Sequence, residues 1–188
     1  SHKDGYRADI DIILEEHDHH YFYDAYDGYK IGYNVWESTE YSSQFFQQLL
    51  TLDELWVPTE WQKEISIKQG YPEDKIFVIP EGVDGNTFKP ASRPKKQGKF
   101  QFVIVGRWDY RKGIKESIEG FLKAFPNNPD VELLLTVENP YPVDGMNSTE
   151  ERLKYYGLED DRIKILKFLD RKQYISLLQN ANVLISCA

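Results

Sequence analysis

A chain of 188 residues that is 40 % hydrophobic and 14 % aromatic can bury the core of one large domain or parts of two, and is too aromatic for a disordered segment. Its net charge of −8 argues against a general nucleic-acid partner, because neutralising phosphates takes a basic surface. The single cysteine, Cys187, excludes an internal disulfide and fits a reducing, cytoplasmic setting; no stretch reads as a signal peptide or a bilayer-spanning apolar run.

In chain order, Ile10-Asp11-Ile12-Ile13-Leu14 reads as a buried strand and the polar, aromatic stretch 17–29 as a loop. Residues 30–36 read as a second strand. Phe45, Phe46, Leu49 and Leu50 recur at helical spacing, which predicts a helix over 42–50. Residues 55–58 make a third strand. Thr59 then caps a helix, with Gln62 as its partner and Gly70 as the stop. Residues 75–79 form a fourth strand, ended by Pro80. From 85 to 99, Pro90, Pro94, Gly98 and a cluster of Lys and Arg mark a linker.

Beyond it, strands over 100–105, 131–137, 163–166 and 183–185 alternate with helices. The first helix has the stripe Ile114, Ile118, Phe121, Leu122 and Phe125. The second spans 148–156 and closes at Gly157. The third is capped by Asp170, with Tyr174, Leu177 and Leu178 inward. Such alternation with apolar strands predicts an α/β fold with a parallel sheet covered on both faces. Asn147-Ser148-Thr149 has the form of a glycosylation sequon, but Ser148 with Glu151 three residues on reads as a helix-starting capping box. The chain stops on the apolar run 183–188, as a fragment would.

The stretch Gly106-Arg107-Trp108-Asp109-Tyr110-Arg111-Lys112-Gly113 lies between the first strand and first helix after the linker, where ligands of open α/β sheets sit. Gly106 lets the backbone leave the strand tightly, and Gly113 stands near a helix start that favours an anion. Arg107 offers a planar fork and Lys112 a mobile point charge, a pair suited to a diphosphate. Solvated loop cations, or pairs with Asp109 and Glu116, explain the same residues equally well.

Val105-Gly106-Arg107 followed by Arg111-Lys112-Gly113 resembles the donor-site motif of retaining GT-B glycosyltransferases of family four (glycosyl transferases group 1). Leu52-Asp53-Glu54-Leu55-Trp56-Val57-Pro58-Thr59 is similar to that family's "DE-strand-Pro-Ser" turn. Val78-Ile79-Pro80-Glu81-Gly82-Val83-Asp84, with Phe88 and Pro90, resembles its interdomain segment. Residues 163–169 and Ala181-Asn182-Val183 resemble its third-strand and "A-D-V" segments. The pattern departs at Glu81, Lys167, Val137-Glu138-Asn139 and Cys187-Ala188, and the family's acidic "E-x7-E" segment would follow Ala188.

This resemblance implies two Rossmann-like parallel-sheet domains, each partly present: 1–88 as the end of the acceptor-side domain, 89–99 as interdomain linker, and 100–188 as the first half of the nucleotide-sugar-binding domain. It implies a hexosyl transfer with retention from a nucleotide-diphosphate sugar to a hydroxyl of a glycan, lipid or small molecule, without cofactor or metal. Arg107 and Lys112 are then the catalytic cations, with Gly106 and Gly113 beside them in the donor site and Phe168 and Leu169 lining the nucleobase pocket. Glu37 in Trp36-Glu37-Ser38-Thr39 matches a "W/F-E-T" stretch of some members and would face the interdomain substrate cleft; a helix-start carboxylate or a strand-end salt bridge explains it as well.

Rival readings remain. His17-Asp18-His19-His20 places His17 and His19 on one side of an extended segment, either as metal ligands or in a cleft loop that touches the acceptor. Asp9-Ile10-Asp11 mimics a metal-binding Asp-x-Asp but precedes its strand, and Cys187 reads as inert packing in an apolar strand. No Gly-x-Gly-x-x-Gly is present, which weighs against a dinucleotide dehydrogenase. The tyrosines of 21–33 suit sugar stacking or packing on the sheet. The competing functions are a non-catalytic nucleotide- or partner-binding module, and another GT-B enzyme such as a phosphorylase or epimerase. The isolated chain is expected to be nearly inactive and to self-associate along the edge at 183–185, while a full-length protein has scope for peripheral membrane contact.

Overall fold

Side-chain acceptors start the helices where the sequence places them, in a computed structural model that describes residues 8–14, 28–91 and 98–187. Ser42, Thr59, Ser148 and Asp170 each accept the backbone N–H three residues on, satisfying donors that a helix start leaves unpaired. Gly70 ends its helix in the left-handed conformation at φ 110°. The chain forms two compact units, Ser1–Val83 and Asp84–Ala188.

In the first unit, β1 (Ile10–Leu14), β2 (Tyr29–Tyr33), β3 (Glu54–Val57) and β4 (Ile76–Val78) form a parallel sheet in that order. Helix α1 (Ser43–Leu49) joins β2 to β3, and α2 (Glu60–Gln69) joins β3 to β4. Ile13, Leu55, Val57 and Ile76 form one core with Phe46, Leu49, Tyr41 and Tyr71. Each such fully buried aliphatic side chain contributes about 1.5–3 kcal/mol.

β1 is buried on one face alone, which corrects the expectation of a buried strand: Ile10, Ile12 and Leu14 are exposed. Register puts Tyr29, Tyr33, Trp56 and Phe77 on that same outer face. The strand expected over 30–36 stops at Tyr33, because the Trp36 N–H turns away to the side-chain oxygen of Gln62.

In the second unit, the strands are β5 (Phe100–Val105), β6 (Val131–Thr136), β7 (Ile163–Ile165) and β8 (Val183–Ile185), all parallel in the order β7-β6-β5-β8. The connecting helices are α3 (Ile114–Ala124), α4 (Thr149–Tyr155) and α5 (Arg171–Asn180). Ile104, Leu133 and Leu135 pack with Ile114, Ile118 and Phe121 on one face; Val103 and Leu134 pack with Leu177 and Ala181 on the other. This sheet is therefore covered on both faces, as parallel sheets are. Tyr174, Leu177 and Leu178, expected inward, are half-buried, with Leu177 packed against Val103 and Leu134. The Arg171 guanidinium stands 5.8 Å from the Phe88 ring, and Gln179 donates to the Lys89 carbonyl at 3.0 Å. Among the described residues, no helix is long and apolar enough to cross a membrane.

Candidate functional site

β5 neighbours β6 on one side and β8 on the other: the chain steps outward from β5 through β6 to β7, then crosses back to β8, so the strand order reverses at β5. Such a switch in strand order opens a crevice beyond the carboxyl ends of the two strands. Two loops meet there. An ideal Cβ on Gly113, just before α3, would lie 3.0 Å from the Cβ of Cys187, just past β8. The hydroxyl of Ser117 in the first turn of α3 donates to the Cys187 sulfur at 3.1 Å. Cys187 is thus an exposed residue at the crevice, not the inert strand residue expected, because β8 ends at Ile185.

The loop from Gly106 to Gly113 is bounded by left-handed glycines, with φ 125° at Gly106 and 56° at Gly113. A side chain at either position would be strained. Gly106 and Trp108 donate to the carbonyls of Thr136 and Val137, so the loop continues the β5–β6 ladder for two more bonds. Asp109 caps the 3-10 turn Tyr110–Lys112 by accepting the Lys112 N–H. α3 itself starts at Gly113 without a side-chain cap, so its first N–H groups face the crevice with only Glu116 as an acidic residue in the first turn.

Arg107 is half-exposed and its Nε lies 3.5 Å from Asp109, which is the loop pairing weighed against an anion site. At that distance and exposure the pair is weak. Lys112 is half-buried, and its ammonium has no partner among the described residues. Phe168, almost fully exposed, and Leu169, half-buried, follow β7 at the same carboxyl rim. β7 is two strands from β5, about 10 Å at ordinary strand spacing, within reach of an extended nucleotide.

Glu37 is exposed on the loop after β2 in the first unit. That loop is pinned by α2: Gln62 accepts from the Trp36 N–H and donates to Asn34 and to the Tyr41 hydroxyl, while Gln69 pairs with both backbone groups of Tyr41. Gln62, expected as the capping partner of Thr59, fills that role with its backbone N–H, but its side chain serves this buried network. His17 and His19 lie outside the described residues, as do the tyrosines of 21–27. Of the later tyrosines, Tyr29 donates to Glu54 and Tyr33 to the Ile79 carbonyl. Among the described residues no group of three His, Cys, Asp or Glu side chains is placed to share a metal ion.

Sequence reading missed a cluster beneath the loop. Arg152 is fully buried, donates through Nη2 to the carbonyls of Tyr141 and Met146, and stands 5.9 Å from the Trp108 ring. The Tyr110 and Tyr156 hydroxyls both donate to Asp144, which holds its carboxyl below the usual range and pushes the Tyr156 phenol up to about 12. The one local signal was the turn dipeptide Asp144-Gly145, in which Asp144 adopts φ 50°.

No family model matches the chain. It is 26 % identical over 120 residues to a phosphatidylinositol N-acetylglucosaminyltransferase component from Arabidopsis thaliana, covering 64 % of this chain and 26 % of that protein. Over 68 residues it is 38 % identical to a probable sucrose-phosphate synthase of Thermosipho melanesiensis, covering 35 % of this chain and 16 % of that one. The chain thus spans about a quarter or less of the curated relatives it matches.

Among solved structures, a glycosyltransferase from Rickettsia africae superposes with TM-score 0.73 at 17 % identity over 96 % of this chain and 52 % of its own. HepE from Anabaena in complex with UDP-glucose gives 0.61 at 15 %, over 84 % and 46 %. UDP-GlcNAc 2-epimerase from Methanocaldococcus jannaschii gives 0.56 at 14 %, over 94 % and 55 %.

Two parallel-sheet α/β units with these likenesses define the GT-B architecture, present here in part. The neighbours include glycosyltransferases, and the fold they share with this chain is the one the motifs imply.

Proposed function

We infer that the chain is part of a glycosyltransferase whose second unit holds the nucleotide-diphosphate sugar. The single observation that carries this reading is the glycine-bounded loop at the β5–β8 switch, which brings Arg107 and Lys112 to an uncapped helix start. The guanidinium and ammonium bind the donor's diphosphate and stabilise the negative charge that develops as the nucleotide leaves. Phe168 and Leu169 contact the base from the same rim, and the loop glycines let the backbone approach the phosphates. The residues before the linker supply the acceptor side, with Glu37, His17 and His19 assigned to the hydroxyl acceptor. Transfer of a hexose with retention, needing no metal and taking place in the cytoplasm, completes the proposal. HepE supports the choice of donor class, because that neighbour was solved with UDP-glucose.

Titration with UDP, GDP, ADP and inorganic phosphate tests the reading. One nucleoside diphosphate is expected to bind, and Arg107→Ala or Lys112→Ala to weaken it at least about tenfold, the loss of one charge-assisted contact. Failure of every diphosphate to bind, or unchanged affinity in both variants, overturns it. An epimerase is the second reading, favoured by the fold shared with UDP-GlcNAc 2-epimerase. Product analysis of the full-length protein separates them: transfer joins the sugar to an acceptor hydroxyl and releases the nucleoside diphosphate, whereas epimerisation inverts one ring carbon and joins the sugar to no acceptor.

A further inference from the structure

Arg107 and Lys112 can act together only if the backbone between them is held still. Two residues of that backbone are tied to a single side chain outside the loop. Trp108, buried to 3 % exposure, stacks on Tyr156 with ring centroids 6.4 Å apart and planes 9° from parallel. Tyr110, two residues on, donates its hydroxyl to Asp144, and Asp144 accepts the Tyr156 hydroxyl on its other oxygen. Tyr156 thus holds the loop twice, once by its ring and once through a carboxylate.

The anchor is itself fixed. Tyr156 is the C-cap of α4, and its ring lies 5.4 Å from the Lys115 ammonium on α3. Asp144 sits in a tight turn closed by paired backbone bonds between Val143 and Met146, and its left-handed φ aims the carboxylate outward. Buried Arg152 clamps that turn through Met146 while facing Trp108. The Asn139 side chain adds a bond to the Trp108 carbonyl at 2.7 Å.

The geometry points to Tyr156 and Asp144 as positioning residues that hold the Arg107–Lys112 loop ready for a diphosphate before the ligand arrives. Tyr110 is 77 % exposed and Asp144 lies at the surface, so these bonds add little to global stability. Their effect is to remove loop freedom that binding would otherwise have to freeze. This inference rests on the donor-site reading.

The test uses Tyr156→Phe, which keeps the stacked ring, and Asp144→Gly, which keeps the turn but removes the carboxylate; Tyr155→Phe is the control. Both variants are expected to retain the parent's melting temperature within about 3 °C while amide exchange over residues 107–112 speeds up, and affinity for the diphosphate the parent binds falls about fivefold. Unchanged exchange over 107–112 in both variants overturns the brace, whether or not any diphosphate binds. Faster exchange with unchanged affinity overturns its role in positioning. If the parent binds none of UDP, GDP or ADP, the donor-site reading falls and the positioning role falls with it, while the exchange data still decide whether the brace exists.

Discussion

Gly113 and Cys187 stand in contact across the β5–β8 crevice, close enough that a methyl group on the glycine would press on the cysteine Cβ at 3.0 Å. Gly113 also holds φ 56°, a conformation that side chains disfavour. Gly113→Ala is therefore expected to cost about 1–2 kcal/mol in urea unfolding. Gly120, exposed within α3 and with open space around its Cβ position, is the contrast. Gly120→Ala is expected to stabilise by about 0.5–1 kcal/mol. The same sign for both substitutions would contradict this account of the crevice.

The only cysteine of the chain is exposed at that crevice, which makes it a reporter. Alkylation of Cys187 by iodoacetamide is expected to slow about threefold or more at saturating diphosphate, as occupancy shields the thiol. Equal rates with and without a diphosphate that binds elsewhere by titration would move the site away from the β5–β8 switch.

Gln62 is buried at 1 % exposure and satisfies groups on Asn34, Trp36 and Tyr41 at once. Gln62→Leu leaves those partners unpaired in the core and is expected to destabilise the first unit by about 2–4 kcal/mol. Chemical unfolding of the variant, with tryptophan fluorescence to follow Trp36, measures it. A loss below about 0.5 kcal/mol would mean the network is not what holds the Glu37 loop.

Asp160 forms a two-point ion pair with Arg162, which also donates to the carbonyls of Phe125 and Asn128. The guanidinium bonds hold the Asp160 carboxyl down to about 2, from an ordinary 3.8. Because the folded value is the lower, the unfolded chain binds more protons in this window and stability rises with pH. The contribution is full above 3.8 and is lost as pH falls through about 2. Asp160→Asn is expected to flatten the dependence of melting temperature on pH over that interval. A slope identical to the parent's would show that the pair does not couple to folding.

The local features were legible in the sequence because their causes lie within a few residues. Thr59, Ser148 and Asp170 accept N–H groups three positions on, and Gly70 and Gly157 adopt positive φ where helices end. Apolar periodicity located each strand and helix to within a few residues, since period reflects which face is buried. The loop motif from Gly106 to Gly113 could be singled out for the same reason: its charges and glycines are contiguous.

What tertiary structure decided was which distant residues meet. The order β7-β6-β5-β8 makes Cys187 a neighbour of Gly113, and no spacing rule predicts that contact. Gln62 meets the Thr59 cap with its backbone N–H alone, while its side chain turns to buried groups on Asn34 and Tyr41 that have no water to satisfy them. Asp144 reached Tyr110 from 34 positions away, and Arg152, of a residue type that is mostly exposed, went to the core beside Trp108. Periodicity records whether a side chain is buried, but a hydrogen-bond or stacking partner is set by chain reversals elsewhere, and those depend on the whole fold.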